Sequence, residues 1–543
     1  MEIFRTLFRT HARIISLAFV LNIGGAIAGL SLIAFLNSAI ADLDRLNVAS
    51  LALMAGLALT LFASAATSQS LFAMIGQRVV HDLRLRMSER LLAADLERLH
   101  QIGAPRILAV LTKDIATIAQ AFNGLPFVIF GAAVVTAAGI YMALLYPPYF
   151  IILSIMTLLA VGIAMQLMAR SRKHRAEARE ADDKIYEAFE AVISGQAELK
   201  LNRHREQDFL AHQMAPAIEE ARIAETTADR FSVTTTAWIN SVVLLVIVSV
   251  FSMYVFFDLG GAEALSGYAL AILFVRSPIA GLMGQIPHLI RGQVAMTKVE
   301  SLGLPSHGPD TSDLPALRDD WGSLELNSIS FQYPAEDGEQ GFAFGPVDLS
   351  IKQGELIFIV GGNGSGKSTL ARLLLGLYTP QNGSVSFAGE PVSAGNAVWF
   401  RQHFAAVLTD FYLFDRVLGP DGKLPPLSLT DSLLQHFKLT EKVGIEDSAW
   451  TTTDLSQGQR KRLALIAACL ADRPILLLDE WAADQDPEFR KIFYTEFLPN
   501  LKKNGKTVIA ITHDDHYFHV ADRILKLDEG HIDVMPATAP AHG

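Results

Sequence analysis

Cysteine is nearly absent from this sequence, and positive charge is in short supply. The 543 residues include one cysteine, Cys469, so no disulfide can form within the chain. Lys and Arg number 45 against 56 Asp and Glu, which gives a formal net charge of −11 at pH 7. This balance disfavours a nucleic-acid partner, because such partners usually require a basic domain. Only 19% of the residues are charged, which is few for a soluble enzyme. The length of the chain predicts two or more domains.

Long apolar segments are abundant in the first half of the chain. Each has about 20 apolar or small residues, the length that the hydrocarbon core of a bilayer requires. Six such segments lie at residues 14–37, 50–75, 126–146, 149–169, 237–257 and 264–290. The first is too long for the core of a signal peptide, so we interpret it as an uncleaved membrane helix. A buried helix of a soluble protein would explain any one segment, but six in series predict a membrane domain.

Basic residues are concentrated beside alternate spans. Arg5, Arg9 and Arg13 precede the first span, and long basic loops follow the second and the fourth. Basic loops stay on the cytoplasmic side, so both ends of this domain are predicted to face the cytoplasm. The long loops break at Gly103 and Gly195, where short cross-helices could contact a cytoplasmic domain. Charged helices that are solvated and contact nothing are the alternative.

One ionisable residue interrupts the sixth apolar segment. Arg276 lies at membrane depth, where a charge is costly and usually faces a bundle interior or a wet cavity. The nearby Pro278 and Pro287 each free a backbone carbonyl. Two interpretations stay open: Arg276 lines a polar cavity and contacts cargo or a partner, or it is satisfied by freed carbonyls or a polar neighbour such as Asn240.

A glycine-rich stretch, GGNGSGKST at residues 361–369, has the pattern G-x-x-x-x-G-K-[ST]. It follows the apolar run 356–360 and precedes a helix-compatible segment at 370–377, in the order strand, loop, helix. Such a loop directs backbone N–H groups at phosphate, and the helix adds the positive end of its dipole. Lys367 is predicted to reach the outer phosphates and Ser368 to hold Mg²⁺. The residues expected to bind ATP here are Gly361, Asn363, Gly364, Ser365, Gly366, Lys367, Ser368 and Thr369. A glycine turn that binds nothing is the alternative.

Two further segments complete a phosphate-transfer site. The apolar run 475–478 predicts a buried parallel strand, and Asp479 and Glu480 follow at its carboxyl end, where open α/β sheets bind ligands. We expect Asp479 to hold Mg²⁺ and Glu480 to polarise the attacking water. The segment LSQGQ, residues 455–459, predicts a helix with Ser456 as its N-cap, and Gly458 would leave room for an anion.

Together these motifs resemble those of the ATP-binding cassette (ABC) family across residues 323–530. The resemblance implies that Tyr333 stacks on adenine, that Asp486 communicates across a dimer and that His513 contacts the γ-phosphate and shares in hydrolysis with Glu480. It also implies that the signature loop acts on ATP held by another subunit, so a homodimer with two shared ATP sites is expected. The signature residues are Ser456, Gln457, Gly458 and Gln459.

The sequence departs from the family pattern at three places, one of which is the segment 449–454, where the usual glutamate- and glycine-rich linker is missing. A glutamine that normally assists with Mg²⁺ and senses the membrane domain is replaced by Thr409, which Asp410 follows, and either residue could substitute for it. Gln457 occupies a signature position where glycine is common.

The predicted fold is an α-helical membrane domain with six spans, of the ABC exporter type, followed by an α/β P-loop ATPase domain. The expected boundaries are 1–300 for the membrane domain, 301–320 for a Pro- and Gly-rich linker and 321–543 for the ATPase domain. More narrowly, EWAADQDP at 480–487, LTDFYLF at 408–414 and THDDHYF at 512–518 resemble bacterial half-transporters that export cyclic peptides, lasso peptides and peptide siderophore precursors. No protease segment precedes the first span, so cargo is expected to arrive already processed.

The expected function is ATP-driven export of a peptide-like cargo across the bacterial cytoplasmic membrane, by alternating access in a homodimer embedded in lipid. ATP and Mg²⁺ are the expected ligands. A lipid or multidrug exporter is one alternative, and a membrane-anchored regulatory ATPase that moves no cargo is another. The six spans exclude a soluble ATPase acting on DNA or ribosomes.

Overall fold

The computed structural model describes residues 12–42, 47–257, 260–305, 308, 314–333 and 341–536, so Arg5 and Arg9 lie outside the described residues. The chain folds as two compact units. One contains the chain up to Met87 together with Ile107–Gly303, and the other contains Ser88–Arg106 together with the chain from Leu304. The domain boundaries expected above stay a prediction, because this division follows packing contacts rather than independent folding.

Helices account for nearly all of the described chain up to Ser301. In chain order they are α1 (Ala12–Ala41), α2 (Val48–Ala93), α3 (Leu96–Ile102), α4 (Ala104–Ala109), α5 (Ile115–Leu145), α6 (Pro147–Ser194), α7 (Gln196–Leu201), α8 (Arg203–Phe209), α9 (Ala215–Phe257) and α10 (Ala262–Ser301). The predicted breaks are confirmed: Gly103, at φ 82°, ends α3, and Gly195 ends α6. Each pair of short helices leads through one π-helical turn, Val110–Asp114 or Leu210–Met214, into the next long helix.

Among the described residues, six helical segments are long and apolar enough to cross a membrane, which confirms the six predicted spans. At most 33% of the residues in the most apolar window of any of them are buried within this chain. The remaining apolar surface is therefore available to lipid or to another chain.

Buried polar side chains join the helices of the first unit. The Asn22 amide of α1 donates to Ser68 Oγ of α2 at 2.5 Å, and Ser266 Oγ of α10 donates to Asn37 Oδ1 of α1 at 2.6 Å. The Tyr268 hydroxyl of α10 donates to the Met142 carbonyl of α5 at 2.6 Å. Such bonds favour one helix arrangement in lipid, where no water competes for the polar groups.

The described part of the second unit contains two larger sheets, a two-stranded ribbon and several helices. The strands are β1 (Ser323–Gln332), β2 (Ala343–Lys352), β3 (Leu356–Gly361), β4 (Asn382–Phe387), β5 (Glu390–Pro391), β6 (Phe404–Val407), β7 (Ile445–Glu446), β8 (Ala449–Trp450), β9 (Ile475–Asp479), β10 (Thr507–Ile511), β11 (Arg523–Asp528) and β12 (His531–Pro536). The helices are α11 (Lys367–Leu374), α12 (Ala397–Arg401), α13 (Leu427–His436), α14 (Gln457–Leu470), α15 (Pro487–Ile492) and α16 (Leu498–Lys503). An antiparallel sheet has the order β2-β1-β4-β5, and the larger sheet has the order β12-β11-β3-β10-β9-β6. A short two-stranded ribbon pairs β7 with β8.

The order of the larger sheet positions the site. Strands β11, β3, β10, β9 and β6 are parallel, so their carboxyl ends meet at one edge. Every residue of β9 and of β10 is buried, as their continuous apolar sequences predict for a sheet covered on both faces. The loops that follow β3, β9 and β10 therefore lie side by side at that edge.

The end of the predicted linker is fixed to the second unit rather than free. His403, fully buried, accepts a hydrogen bond from the Arg318 backbone N–H at its Nε2, 3.0 Å away. Trp399 Nε1 donates to the Ala316 carbonyl at 3.1 Å. Burial lowers the pKa of His403, so a neutral ring holds this end of the linker.

Candidate functional site

The phosphate loop begins where β3 ends and leads directly into α11, which starts at Lys367, three residues earlier than expected. Gly366 caps this helix at φ 102°, a left-handed conformation that favours glycine. The Lys367 ammonium belongs to a residue that is 7% exposed, and it donates to the carbonyls of Gly361 and Gly362, both at 2.9 Å. The loop thus binds the ammonium of Lys367 through its own carbonyl oxygens. These acceptors are neutral, so phosphate oxygens can replace them.

Two other residues of the phosphate loop differ in exposure. Ser368 is exposed at the start of α11, whereas Ser365 is 4% exposed and its hydroxyl has no hydrogen-bond partner among the described residues. A buried hydroxyl without a partner is uncommon, and it suits a loop that gains partners when a ligand binds. Asn363 and Gly364, also predicted to bind ATP, are exposed on the same loop.

The predicted catalytic carboxylate and histidine meet at the carboxyl ends of β9 and β10. His513 Nε2 lies 3.1 Å from Glu480 Oε1. Glu480 itself has φ 50°, a left-handed conformation that costs a glutamate on the order of 1–3 kcal/mol. Its backbone N–H donates to the Ile511 carbonyl at 3.1 Å, which ties the strained residue to β10. The strain therefore falls on the residue that the sequence assigned to water activation.

Asp479 is buried at the end of β9, with 5% of its surface exposed. Burial raises the pKa of its carboxyl group, while a hydrogen bond from the Thr409 side chain acts in the opposite direction. Thr409 therefore contacts the carboxylate that was predicted to hold the metal. Asp410 forms an ion pair with Arg372 of α11, at 3.7 Å between Nη2 and Oδ2. Both residues at the place of the usual glutamine thus bond to groups of the phosphate site.

The signature segment begins α14 as predicted, with Ser456 at the N-cap. Gln459 Oε1 accepts from the Ser456 backbone N–H at 3.3 Å, which is one half of a capping box. A Cβ atom on Gly458 would lie 2.8 Å from the Asp484 carbonyl, so glycine is required here by close packing as well as by any anion. Gln457 donates to Asp484 Oδ2 at 3.2 Å.

The start of α14 makes no hydrogen bond or ion pair to residues 361–369 within the part of the chain that the structure describes. Its contacts are with the segment that follows Glu480. Arg462 donates to Asp486 Oδ2 at 2.8 Å, and its guanidinium lies 3.4 Å from the Phe489 ring centre. The Phe489 backbone N–H and Arg462 lower the pKa of Asp486, which caps α15.

Tyr333 directly follows β1 and lies beside the phosphate-loop helix. Its hydroxyl is 3.3 Å from Thr369 Oγ1, and its ring centre lies 5.2 Å from that of Phe331 and 6.1 Å from that of Tyr378. The residue is partly exposed, as stacking on a base requires.

The first cross-helix, α3, packs within the second unit. His100 Nδ1 lies 2.9 Å from the Tyr378 hydroxyl. His100 also lines a groove of about 420 Å³ together with Arg372, Asp410 and Tyr412. Burial raises the pKa of Tyr378 to about 12, so its hydroxyl keeps its proton. The predicted contact between a cross-helix and the ATPase domain is thereby confirmed for α3.

Arg276 has a polar neighbour in the first unit. Its guanidinium donates to Asn240 Oδ1 of α9 at 2.8 Å, the contact that one of the two interpretations anticipated. Arg276 is nevertheless exposed and uses one of five N–H groups in this bond, so the contact leaves capacity for a second partner.

Three residues that contact the site were not singled out by sequence reasoning: Lys461, Tyr378 and His100. Lys461 lies in the basic run at 460–462, which is typical of a solvated helix surface, yet it is 4% exposed. His100 and Tyr378 lie 278 positions apart, and no local pattern joins them. The residues of α14 from 463 to 470 are all apolar, so no periodicity of the sequence singles out Lys461.

The residues present fit a nucleoside triphosphate with a divalent cation. The loop offers a lysine bound to carbonyls, and the sheet edge offers a buried carboxylate, Asp479, with a second carboxylate beside it. Carboxylate and hydroxyl oxygens are the ligands that Mg²⁺ prefers, so Asp479 and Ser368 could hold it.

Known proteins with this organisation match the chain along most of its length. The family model for the ABC transporter transmembrane region matches residues 13–274, and the ABC transporter model matches residues 344–483. The ATP-binding protein SyrD of Pseudomonas syringae pv. syringae is 36% identical, covering 97% of this chain and 95% of that protein. The ATP-dependent lipid A-core flippase of Burkholderia pseudomallei is 24% identical, covering 89% of this chain and 82% of that protein.

Among solved structures, a bacterial Atm1-family ABC exporter with ATP bound has the same fold. The TM-score is 0.73 at 18% identity, over 98% of this chain and 95% of that chain. The predicted fold class, six membrane helices followed by an α/β ATPase, is confirmed. The chain belongs to the ABC transporter family and couples ATP hydrolysis to transport.

Proposed function

We propose that this exporter moves a peptide-like cargo, such as a cyclic or lasso peptide or a peptide siderophore precursor, out across the bacterial cytoplasmic membrane. Two copies would act together, with both termini of each in the cytoplasm, as the basic loops favour. The proposal draws on the resemblance of residues 408–414, 480–487 and 512–518 to peptide exporters. The 36% identity to SyrD, against 24% for the flippase, is consistent with a branch apart from the flippases.

Each ATP would lie between the phosphate loop of one copy and the signature loop of the other. The observation that carries this proposal is the exposure of Ser456 and Gln457, which contact no part of the phosphate loop among the described residues of their own chain. Exposed polar groups at the start of a helix suit an anion supplied by a second surface.

Residues of the chain divide the work of hydrolysis in the proposed site. Lys367 and the loop N–H groups bind the phosphates, and Tyr333 holds the base by stacking. Asp479 and Ser368 would hold Mg²⁺, which would neutralise charge on the phosphates. Glu480 orients the attacking water, and His513, 3.1 Å from it, keeps the carboxylate aimed and reaches the γ-phosphate. Asp486 would communicate the state of the site to the partner chain. Thr409 and Asp410 would communicate it to the membrane domain.

ATP binding would drive the change of access. A closed pair of ATPase domains binds ATP better than an open pair, so ATP shifts the population toward the closed, outward-facing state. Hydrolysis removes the link between the two surfaces and resets the inward-facing state.

Arg276 is proposed to line the cargo cavity, with Asn240 fixing its orientation through the 2.8 Å bond. It is the one Asp, Glu, Lys or Arg residue within the six predicted span segments of the sequence. An anionic group on the cargo, such as a peptide carboxylate, would satisfy its remaining donors.

A lipid cargo is the second candidate, because the flippase relatives are named for lipid A-core. The decisive experiment measures ATPase stimulation of the purified exporter in nanodiscs by a panel of cyclic and lasso peptides and by a panel of lipids. Stimulation by peptides that weakens in Arg276→Gln supports the proposal. Stimulation by lipids alone contradicts it, and no transport of any cargo into sealed inside-out vesicles would favour a regulatory ATPase.

A further inference from the structure

Lys461 on α14 is a buried lysine that bonds to the segment containing Glu480. Its side chain is 5% exposed, and its ammonium lies 2.7 Å from Asp484 Oδ2. The same ammonium donates to the backbone carbonyl of Glu480 at 2.8 Å. Trp481 Nε1 donates to the Lys461 carbonyl at 2.8 Å. Lys461 is therefore bonded through both its side chain and its backbone to the segment that contains Glu480 and Trp481.

A buried ammonium needs strong partners, because removing it from water is unfavourable unless it is paired and hydrogen-bonded. Here it has a carboxylate and a carbonyl, and the carbonyl belongs to the residue with the strained backbone. Glu480 at φ 50° keeps this conformation only if its surroundings fix it. The ammonium on one side and the bond from Glu480 N–H to the Ile511 carbonyl on the other supply that restraint.

The backbone conformation of Glu480 sets the direction of its carboxylate. With φ 50°, Oε1 lies 3.1 Å from His513 Nε2. Relaxation to the usual negative φ would turn the side chain away from His513. A change of about 1 Å in the position of a catalytic group is enough to slow a reaction strongly.

We propose that Lys461 is a positioning residue for ATP hydrolysis: its ammonium holds Glu480 in the left-handed conformation that aims the carboxylate at His513. The inference rests on the proposed catalytic role of Glu480. Since Lys461 lies three residues beyond Gly458 on the same helix, it also joins the signature loop to Glu480 in one rigid segment. Contact of the signature loop with the partner's ATP would thereby be passed to the catalytic carboxylate of the same chain.

The test compares Lys461→Met and Lys461→Gln in the full-length exporter in nanodiscs, with Lys438→Met as the matched control. Lys438 pairs with Glu488 at 3.3 Å on the surface of the same unit, with a side chain 59% exposed. For Lys461→Met we expect kcat to fall about tenfold to a hundredfold, with KM for ATP changed by less than about threefold. Lys461→Gln should recover part of kcat, because its amide can still donate to the Glu480 carbonyl. Lys438→Met should behave as the unchanged protein.

Wild-type kcat in Lys461→Met overturns the positioning role. A fall in kcat that is accompanied by weaker ATP binding and a lower melting temperature also overturns it, because that combination indicates a purely structural lysine. Glu480→Gln, measured in parallel, separates this inference from the proposed function. Undiminished hydrolysis by Glu480→Gln overturns the proposed catalysis itself, whereas an inactive Glu480→Gln beside an active Lys461→Met overturns the role of Lys461 alone.

Discussion

Single residues at the end of β9 combine a buried charge with a strained backbone. Asp479 is 5% exposed and has a raised pKa, and the next residue, Glu480, has φ 50°. Neither feature favours folding in the absence of ligand. Binding sites often carry such unfavourable features, because the groups that bind ligand are not optimised for stability.

Replacing Asp479 by Asn is expected to raise the melting temperature by a few degrees without nucleotide and to abolish Mg²⁺-dependent hydrolysis. A carboxyl group whose pKa is raised by folding stabilises the fold below its unfolded pKa and loses that contribution as pH rises through the folded pKa. Above that pH range the carboxyl group therefore lowers the stability of the fold, an effect that Asn lacks. Thermal scans at several pH values should show the difference shrinking as pH falls, and an Asn variant that melts lower at neutral pH would contradict this.

Replacing Glu480 by Gln should lower kcat by about 10²–10⁴-fold, because the amide cannot accept a proton from water. ATP binding should persist, since the phosphate loop with Lys367 is unchanged. Turnover and binding of a fluorescent ATP analogue measure the two effects separately. Hydrolysis at the wild-type rate would rule out the assignment.

The positions of Asp479 and Glu480 were predictable because a continuous apolar run precedes them, and such a run marks a buried parallel strand. The left-handed conformation of Glu480 and the burial of Lys461 were not. Both depend on the packing of α14 against the segment after β9, which brings together residues that are 19 positions apart in the chain. Arg276 shows the same limit: its partner Asn240 was named from polarity, but only the structure joined the two.

Helix α3 is the cross-helix that the structure places within the ATPase unit. Helix α2 is continuous from Val48 to Ala93, and its part up to Met87 belongs to the first unit. The chain then enters the second unit, where His100 meets Tyr378. Tyr378 in turn contacts Tyr333, the residue expected to stack on adenine. The chain is therefore continuous from a membrane helix to His100, and a hydrogen bond and a ring contact lead from there to Tyr333.

The variant His100→Ala is expected to weaken coupling between cargo and hydrolysis. Losing one hydrogen bond of about 1 kcal/mol should reduce cargo-stimulated ATPase activity by about fivefold, while ATP binding stays unchanged. Gln101→Ala is the control, because Gln101 lies on the same helix and donates to Glu97 at 3.1 Å. Equal stimulation in both variants would show that the contact carries no coupling.

The element breaks were predictable, because Gly103 and Gly195 interrupt charged helical periodicity. The sequence allowed us to predict that α3 could contact the ATPase domain, but not which residues make the contact. Those residues depend on a groove formed by α11 and the segment after β6. The π-helical turns at Val110–Asp114 and Leu210–Met214 left no sequence signal that we recognised.

The whole molecule provides one membrane unit and one ATPase unit in each chain, and the proposed mechanism needs two chains. Cys469, the single cysteine, packs against the core of the ATPase unit, and burial raises the pKa of its thiol to about 12, so it reacts poorly. Introduced cysteines at exposed positions can therefore report on proximity between chains. Asn363 in the phosphate loop and Ser456 in the signature loop are both exposed.

The most direct measurement is disulfide cross-linking of a chain that carries Asn363→Cys and Ser456→Cys with Glu480→Gln and Cys469→Ser. A disulfide requires Cα atoms within about 7 Å, so it reports direct contact of the two loops. With ATP and Mg²⁺ we predict a product of twice the chain mass, which reducing agent removes and which is absent without nucleotide. A chain that stays monomeric under these conditions, with free thiols or an internal disulfide, would contradict the shared ATP site.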